Sequence, residues 1–360
     1  MTGSGVQPPV EMVAWADIEN EFAGDGGAAN GGSLVLGNGF STNIWSAFGY
    51  PSLLQRSGLV GRALSLFRGR SNFETVLAEL STALQVLEVT APGARSLHKD
   101  LEDLAAEVRE SLIETVGAVH PDAQRLTAKV MRPRRLIRLG KEVLPELAGY
   151  MPRYANIFVT NYDLISYWAA VKGGIADLFP GSAPFDVNQA EYWRETNASP
   201  KIFFLHGALH LYRSLSTNAE GKQIAGTSTR LLDVIRTSVN NPDLVPLFIS
   251  EGTSAQKMAR IRTSQYLAFC DRALGDDDAQ LTVLGQALGD VDQHIIHAIE
   301  RHPRRKVAVG VWVGDVDEKH RNRELKIRAT VIRGRIAKCR DVVFFDSAEH
   351  PLTAPTLRCR

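Results

Sequence analysis

Residues 34–41 read LVLGNGFS, three apolar residues followed by Gly-Asn-Gly, a phenylalanine and a hydroxyl residue. The apolar run 34–36 predicts a short buried strand, and two glycines two residues apart predict a sharp turn into a helix. Because glycine lacks a Cβ, such a turn also lets a neighbour approach closely. The usual neighbour at such a turn is a nucleotide phosphate, and the alternative is a tight strand-to-helix turn without a ligand. Residues 34–41 by themselves favour the two interpretations equally.

The composition is that of an ordinary globular protein. Of 360 residues, 44% are hydrophobic and 22% are charged, and the formal net charge of +1 gives no support for direct nucleic-acid binding. Three cysteines, at 270, 339 and 359, form neither a disulfide framework nor a four-cysteine zinc site. No signal peptide and no apolar run of roughly 20 residues is visible. We therefore expect a cytoplasmic protein without membrane association.

Three regions differ in sequence character. Residues 1–32 end in a glycine-rich stretch, which predicts a flexible N-terminal segment. Residues 71–150 carry helical periodicity and predict an all-helical insertion. Residues 33–70 and 151–360 together predict the α/β domain.

Short apolar runs alternate with helical stretches after residue 150. Runs that are apolar throughout suit a parallel sheet that helices cover on both faces. We predict a doubly wound, mostly parallel, Rossmann-like α/β fold with the helical insertion after its first strand. The later strands are predicted at 157–159, 202–205, 246–249, 281–284, 307–311 and 342–345.

Polar or glycine residues follow several of these strands. They occur at 37–41, at 160–163, at 206–207 and, after the run 281–284, between Gly285 and Asp292. Each set has a plain structural explanation, such as capping the next helix. Because ligands bind beyond the carboxyl ends of strands in an open parallel sheet, the sets together predict a nucleotide site.

Two common nucleotide-binding patterns do not match. Thr42 stands where a dehydrogenase fingerprint has its third glycine, and no Asp or Glu occurs between Asp25 and Glu74 to hold a ribose. This argues against an ordinary hydride-transfer enzyme. A phosphate loop of the Walker type is excluded, because no Gly-Lys-Ser/Thr follows the turn.

Three motifs occur in the order in which sirtuins have them: GNGFS at 37–41, TNYD at 160–163 and LHG at 205–207. The chain resembles the sirtuin family over residues 33–55 and 155–310, but not over the helical insertion. It is more similar to bacterial sirtuin-like proteins of antiviral defence, which have blocks like FVTNYDLISYW, FLHGALHLY and SEGTSAQKMARIRTSQYL. The resemblance implies a sirtuin-like fold that consumes NAD as a substrate.

Departures from the sirtuin pattern distinguish NAD cleavage from protein deacetylation. Sirtuin deacetylases resemble each other in a four-cysteine zinc module, which three cysteines cannot form. Thr160 replaces the glutamine that precedes the asparagine in many sirtuins, and Ala287 stands where a serine often follows the late strand. The resemblance therefore implies an NAD+ glycohydrolase that releases nicotinamide and ADP-ribose as a defence effector. Alternatives are a non-catalytic sensor of NAD or ADP-ribose and, ranking lower, a protein deacylase.

The implied reaction gives roles to the residues at the strand ends. Asn161 would position ribose or water, Asp163 would stabilise positive charge or fix the nicotinamide amide, and His206 would titrate near neutral pH as a general base. The Ser41 hydroxyl would face the pyrophosphate. The residues expected to bind the dinucleotide are Gly37, Asn38, Gly39, Phe40, Ser41, Thr160, Gly285 and Asp292.

Other histidines receive no role in this interpretation. His206 and His210 have a spacing that would put two ligands on one helix face, but the glutamate of a zinc hydrolase is missing between them. No metal is therefore predicted. His294 and His297 are expected on a helix surface.

The sequence also suggests partners. Family members of this kind assemble to switch on, so the resemblance implies a homo-oligomer and a defence-system partner protein or a phage-derived trigger. Residues 251–257 match a block of the defence branch and have no assigned role.

Overall fold

The computed structural model describes residues 10–24, 31–121, 142–196, 200–226, 229–238, 241, 243–249 and 253–359. The strands in these residues are β1 (Gly31–Leu36), β2 (Tyr154–Val159), β3 (Lys201–Phe204), β4 (Gly207–Ser214), β5 (Glu220–Lys222), β6 (Leu244–Phe248), β7 (Leu281–Leu284), β8 (Lys306–Val311) and β9 (Asp341–Asp346). The α-helices are α1 (Trp15–Ala23), α2 (Asn38–Ile44), α3 (Tyr50–Arg56), α4 (Gly61–Ser65), α5 (Phe73–Thr90), α6 (Arg95–Val119), α7 (Leu144–Tyr150), α8 (Ile165–Lys172), α9 (Val187–Thr196), α10 (Leu231–Ser238), α11 (Ser254–Arg262), α12 (Gln265–Asp276), α13 (Gln293–Glu300) and α14 (Glu318–Arg335).

A six-stranded parallel sheet forms the centre, in the order β3-β2-β1-β7-β8-β9. The first strand lies in the middle, with Leu34 paired to Ile157 on one side and to Thr282 on the other. The chain therefore winds outward from β1 in both directions, and the strand order reverses between β1 and β7. The prediction of a doubly wound, mostly parallel fold is confirmed.

The central strands are buried on both faces. Leu34, Val35 and Leu36 are all fully enclosed, although consecutive side chains of a strand point to opposite faces. Burying one such side chain contributes about 1.5–3 kcal/mol. Runs that are apolar throughout are thus what a sheet with helices on both faces requires.

One predicted strand belongs elsewhere. The run 246–249 overlaps β6, which pairs with β4 in a separate three-stranded antiparallel sheet, β5-β4-β6. Only Leu205 and His206 separate β3 from β4. A parallel crossover needs a dozen or more residues, so this short turn sends the chain out of the main sheet.

The N-terminal region is more ordered than its composition suggests. The prediction of a flexible segment over residues 1–32 is wrong for α1, whose Trp15 and Phe22 are buried. The Trp15 backbone N–H donates to a Glu349 carboxylate oxygen at 2.9 Å, which ties α1 to the end of the chain. The glycine-rich residues 25–30 lie outside the described part.

The described residues between β1 and β2 form helices and no strand, as predicted. Helices α5 and α6 follow each other as a pair, with Val76 and Leu80 buried on one helix and Val108 and Leu112 on the other. The boundaries of this insertion at 71 and 150 remain a prediction. None of the helices in the described ranges is long and apolar enough to cross a membrane.

Candidate functional site

The two glycine turns of the sequence pack against each other at the carboxyl ends of β1 and β7. The Gly39 N–H donates to the Gly285 carbonyl at 2.9 Å, and the Gly37 N–H donates to the Leu284 carbonyl at 2.8 Å. Gly285 has φ of +65°, and a Cβ there would lie 2.3 Å from the Phe40 nitrogen. The close neighbour that the GNG turn admits is therefore another stretch of the chain.

Ser41 connects two polar side chains that follow β2. The Asn161 Nδ2 donates to Ser41 Oγ at 2.7 Å, and the Ser41 hydroxyl donates to the Asp163 carboxylate. All three residues are buried. The sequence predicts that the Ser41 hydroxyl faces a pyrophosphate. In the structure this hydroxyl donates to Asp163, so Ser41 positions that carboxylate.

Asp163 and Asn161 are both buried, but Asp163 has a raised pKa and Asn161 has an acceptor without a hydrogen-bond partner among the described residues. Burial raises the pKa of Asp163 to about 6, although donors from Ser41 and from the Ile165 N–H, at 2.8 Å, oppose the rise. The Asn161 Oδ1 has no hydrogen-bond partner among the described residues. A buried acceptor without a partner costs free energy, and a ligand or water that donates to it would remove that cost.

His206 lies in the turn between β3 and β4, where it contacts protein on both ring nitrogens. Its Nε2 is 2.8 Å from the His294 Nε2, and the ring also donates to the Thr160 backbone carbonyl, which places that proton on Nδ1. Burial and the Lys257 charge lower the pKa of His206 well below its usual value. The prediction of a histidine that titrates near neutral pH is wrong. In this arrangement the ring positions the Thr160 carbonyl and offers no nitrogen to a substrate.

His294 is buried, so its predicted place on a helix surface is wrong, whereas His297 is exposed. The His294 Nδ1 lies 3.0 Å from Ser254 Oγ, and the same oxygen accepts a hydrogen bond from the His294 backbone N–H at 2.8 Å. Burial lowers the pKa of His294 to about 4, so the ring is neutral. Because His206 carries its proton on Nδ1, His294 donates through Nε2 and accepts from the Ser254 hydroxyl. Buried Ala298 lies four residues after His294, one turn further on the same face of α13. This spacing is the sequence signal that could have shown that His294 is buried.

A buried ion pair lies beside the two imidazoles. The Lys257 Nζ is fully enclosed and lies 3.1 Å from an Asp292 carboxylate oxygen. The other oxygen of Asp292 accepts from the Gln286 Nε2 at 3.2 Å. Asp292, predicted to bind a dinucleotide, is therefore paired inside the protein. Lys257 lies on α11, which begins with a capping box between Thr253 and Gln256.

The group of His206, Asp292 and His294 has the composition of a metal site, since their ligand atoms lie within 4.8 Å of one another. The Lys257 ammonium already neutralises Asp292, and its charge opposes a second cation at this distance. The arrangement therefore fits a metal poorly. His210 lies on β4 and not on a helix, so the pair 206 and 210 does not share a helix face.

An open cleft lies at the same edge of the sheet, on the other side of β1. It has a volume of about 360 Å³ and is lined by residues that include Gly39, Gln286, Trp312, Arg328, Val331 and Arg335. An adjoining cleft of about 470 Å³ shares Gly39, Asn43 and Trp312 with it and reaches Asn38. This is the point where the strand order reverses, which is where doubly wound sheets bind ligands.

The predicted site residues thus fall into three groups. Gly39 and Gly285 line the cleft, and Asn38 lines its neighbour. The polar cluster of Asn161 and Asp163 is not among the described residues that line either cleft. The remaining predicted residues support the chain: Phe40 is a core residue, Thr160 bonds to the Leu36 carbonyl, and Gly37 abuts Gln286.

Fold and site together define a doubly wound α/β protein with a cleft at the switch point of its sheet and a buried polar cluster at the end of the neighbouring strand. The chain belongs to the family described as a domain of unknown function, DUF4917, whose model matches residues 34–352. No curated protein matches the sequence.

Three solved structures are similar at a low level. A Sir2 homologue in complex with NAD is 11% identical, with 96% of this chain and 93% of that chain covered and a TM-score of 0.38. A Sir2 complex with a p53 peptide and NAD+ is 10% identical (82% and 86% covered, TM-score 0.32), and a structure on the mechanism and regulation of Sir2 enzymes is 9% identical (90% and 90% covered, TM-score 0.33). Likeness of this extent carries no functional weight. The fold assignment rests on the observed strand order.

Proposed function

We propose that the protein binds NAD+ at the carboxyl edge of the sheet and cleaves the nicotinamide–ribose bond, giving nicotinamide and ADP-ribose. The observation that carries this proposal is the spacing of the two halves of the site. The polar cluster follows β2, and the cleft reaches the end of β8. These two strands are three positions apart in the sheet, a distance of about 14 Å. A nucleoside monophosphate is shorter than this span, whereas a dinucleotide is long enough to cross it. Its pyrophosphate would cross β1 at the turn 37–41.

The buried groups supply what such a cleavage needs. Departure of neutral nicotinamide leaves an oxocarbenium-like ribose, so the reaction calls for negative charge and an ordered water more than for a strong acid. Asp163 is ionised at neutral pH because its pKa is about 6, and its charge would stabilise the cation. The open acceptor of Asn161 would hold a ribose hydroxyl or the attacking water. Water adds to the ribose carbon, and its proton leaves to solvent.

Chromatography of NAD+ after incubation with the purified protein tests the proposal, alone and with an extract of phage-infected cells. We expect nicotinamide and ADP-ribose as products, and a fall in rate of about 100-fold or more for Asn161→Ala and Asp163→Asn. Asn156→Ala is the matched control, since Asn156 lies at the other end of β2 and donates to Asp277. NAD+ that stays intact under both conditions contradicts the proposal, as does full activity of Asn161→Ala.

A specific observation also favours a sensor that binds NAD or ADP-ribose without turnover. The polar cluster is closed in this structure, with Asn161 and Asp163 each 3% exposed, and His206 uses both nitrogens inside the protein. Calorimetry separates the two functions: tight binding of ADP-ribose with no NAD+ cleavage supports the sensor. The protein deacylase ranks lowest, because the three cysteines cannot form a zinc module; release of O-acetyl-ADP-ribose from an acetylated peptide would support it.

The biological setting belongs to the same proposal. The sequence resemblance supports an effector of antiviral defence that acts as a homo-oligomer and responds to a phage component or a partner protein. Light scattering of the purified protein with and without infected-cell extract tests assembly. A monomer under both conditions contradicts the oligomer.

A further inference from the structure

Two arginines of α14 are held at the rim of the cleft. The Arg328 Nη1 donates to the Trp312 carbonyl at 2.8 Å, and the Arg335 Nη1 donates to the Ala287 carbonyl at 2.9 Å. These carbonyls follow β8 and β7, so each guanidinium is fixed near the carboxyl end of a strand. The two arginines are seven residues apart, on one face of the helix and about 10 Å apart along its axis. Val331 lies between them and lines the same cleft.

The charge of this cleft is positive and unbalanced. Arg321 and Arg358 nearby pair with Asp346 and Asp315, respectively. Within the described part of the chain, Arg328 and Arg335 have no carboxylate within ion-pair distance, and the cleft they line contains no acidic residue. Sites that hold unmodified adenosine ribose use an acidic residue for the hydroxyls, whereas an arginine accommodates a phosphate on that ribose.

The position of the arginines decides which phosphate they would meet. In the proposed binding mode the pyrophosphate lies at the turn after β1, while the arginines lie beyond it, at the ends of β7 and β8. The exposed Trp312 lines both this cleft and its neighbour and offers a flat apolar surface there. A ligand phosphate at the arginines must therefore be carried by the adenosine half.

We propose that the site prefers a dinucleotide with a phosphate on its adenosine ribose, so that its substrate class is NADP+ before NAD+. This inference rests on the proposed function. Arg328 and Arg335 are the specificity-determining residues, because a guanidinium forms charge-assisted, two-pronged hydrogen bonds to phosphate.

Calorimetry at low ionic strength with ADP-ribose and with 2′-phospho-ADP-ribose tests this without any turnover. We expect the phosphorylated nucleotide to bind about tenfold more tightly or better. The double variant Arg328→Gln/Arg335→Gln should lose that preference, so that it binds the two nucleotides with equal affinity. Arg333→Gln is the matched control, since Arg333 is on the same helix and also donates to a carbonyl, that of Ile336, but does not line the cleft.

The outcomes separate the inference from the function on which it rests. Equal affinity of the wild type for the two nucleotides overturns the inference and leaves the proposed function standing. A preference that survives in the double variant also overturns it. Failure of both nucleotides to bind overturns the proposed function and the inference together.

Discussion

The buried carboxyl of Asp163 makes the stability of the protein depend on pH in a calculable direction. Burial raises its pKa in the folded state from 3.8 to about 6. Between these values the folded chain holds a proton that the unfolded chain has lost, so the free energy of unfolding falls as pH rises. The full effect is ~3 kcal/mol above pH 6.

Asp163→Asn removes this titration and keeps the size of the side chain. Compared with the wild type at each pH, the variant should gain stability as pH rises. About half of the full effect, ~1.4 kcal/mol, falls between pH 5 and pH 8. The comparison cancels the titration of groups that both proteins share, such as His294. Urea unfolding at several pH values measures it.

Asp290→Asn is the control, because Asp290 is exposed at the same edge of the sheet. Its unfolding curves show what the loss of an exposed carboxyl at this edge does, and the pH trend of Asp163→Asn is compared with them. Parallel curves for Asp163→Asn and the wild type would refute the reasoning. A variant that is more stable at pH 8 yet inactive on NAD+ would show that the fold keeps this charge for function at the expense of stability.

Three further predictions concern the surroundings of the cluster. Lys257→Met leaves the carboxylate of Asp292 without its buried partner and should lower the free energy of unfolding by about 3 kcal/mol, as measured by urea unfolding. An unchanged free energy would show that the pair is solvated. The pKa of His294 is about 4, so this ring lowers the stability of the wild type as pH falls from 6.5 towards 4, in the direction opposite to the effect of Asp163. Compared with the wild type at each pH, His294→Gln should gain stability as pH falls in the same assay, and parallel curves for the two proteins would contradict this. Gly285→Ala places a Cβ against the Phe40 nitrogen at a φ of +65° and should destabilise the fold by about 1–3 kcal/mol or more, which lowers the melting temperature. An unchanged melting temperature would show that the turn can relax.

The class of the fold could be predicted from the amino-acid sequence. Continuous apolar runs such as 34–36 and 307–311 can only be satisfied by burial on both faces, and local composition carries that requirement. The sequence also determined which strand ends are polar. For Asn161 and Asp163 this was enough to place them beyond the same sheet edge as the turn 37–41, because parallel strands end together.

The contacts of those residues could not be predicted, because they depend on tertiary packing. Residues 206 and 294 are 88 positions apart, and their hydrogen bond exists because α13 packs beside the turn after β3. The same holds for Lys257 with Asp292, and for the glycines after β1, whose close neighbour is the turn after β7. Local sequence fixes backbone preference and burial, whereas the partner of a buried polar group depends on how distant elements pack. That packing made His206 a positioning residue and left the Asn161 acceptor open.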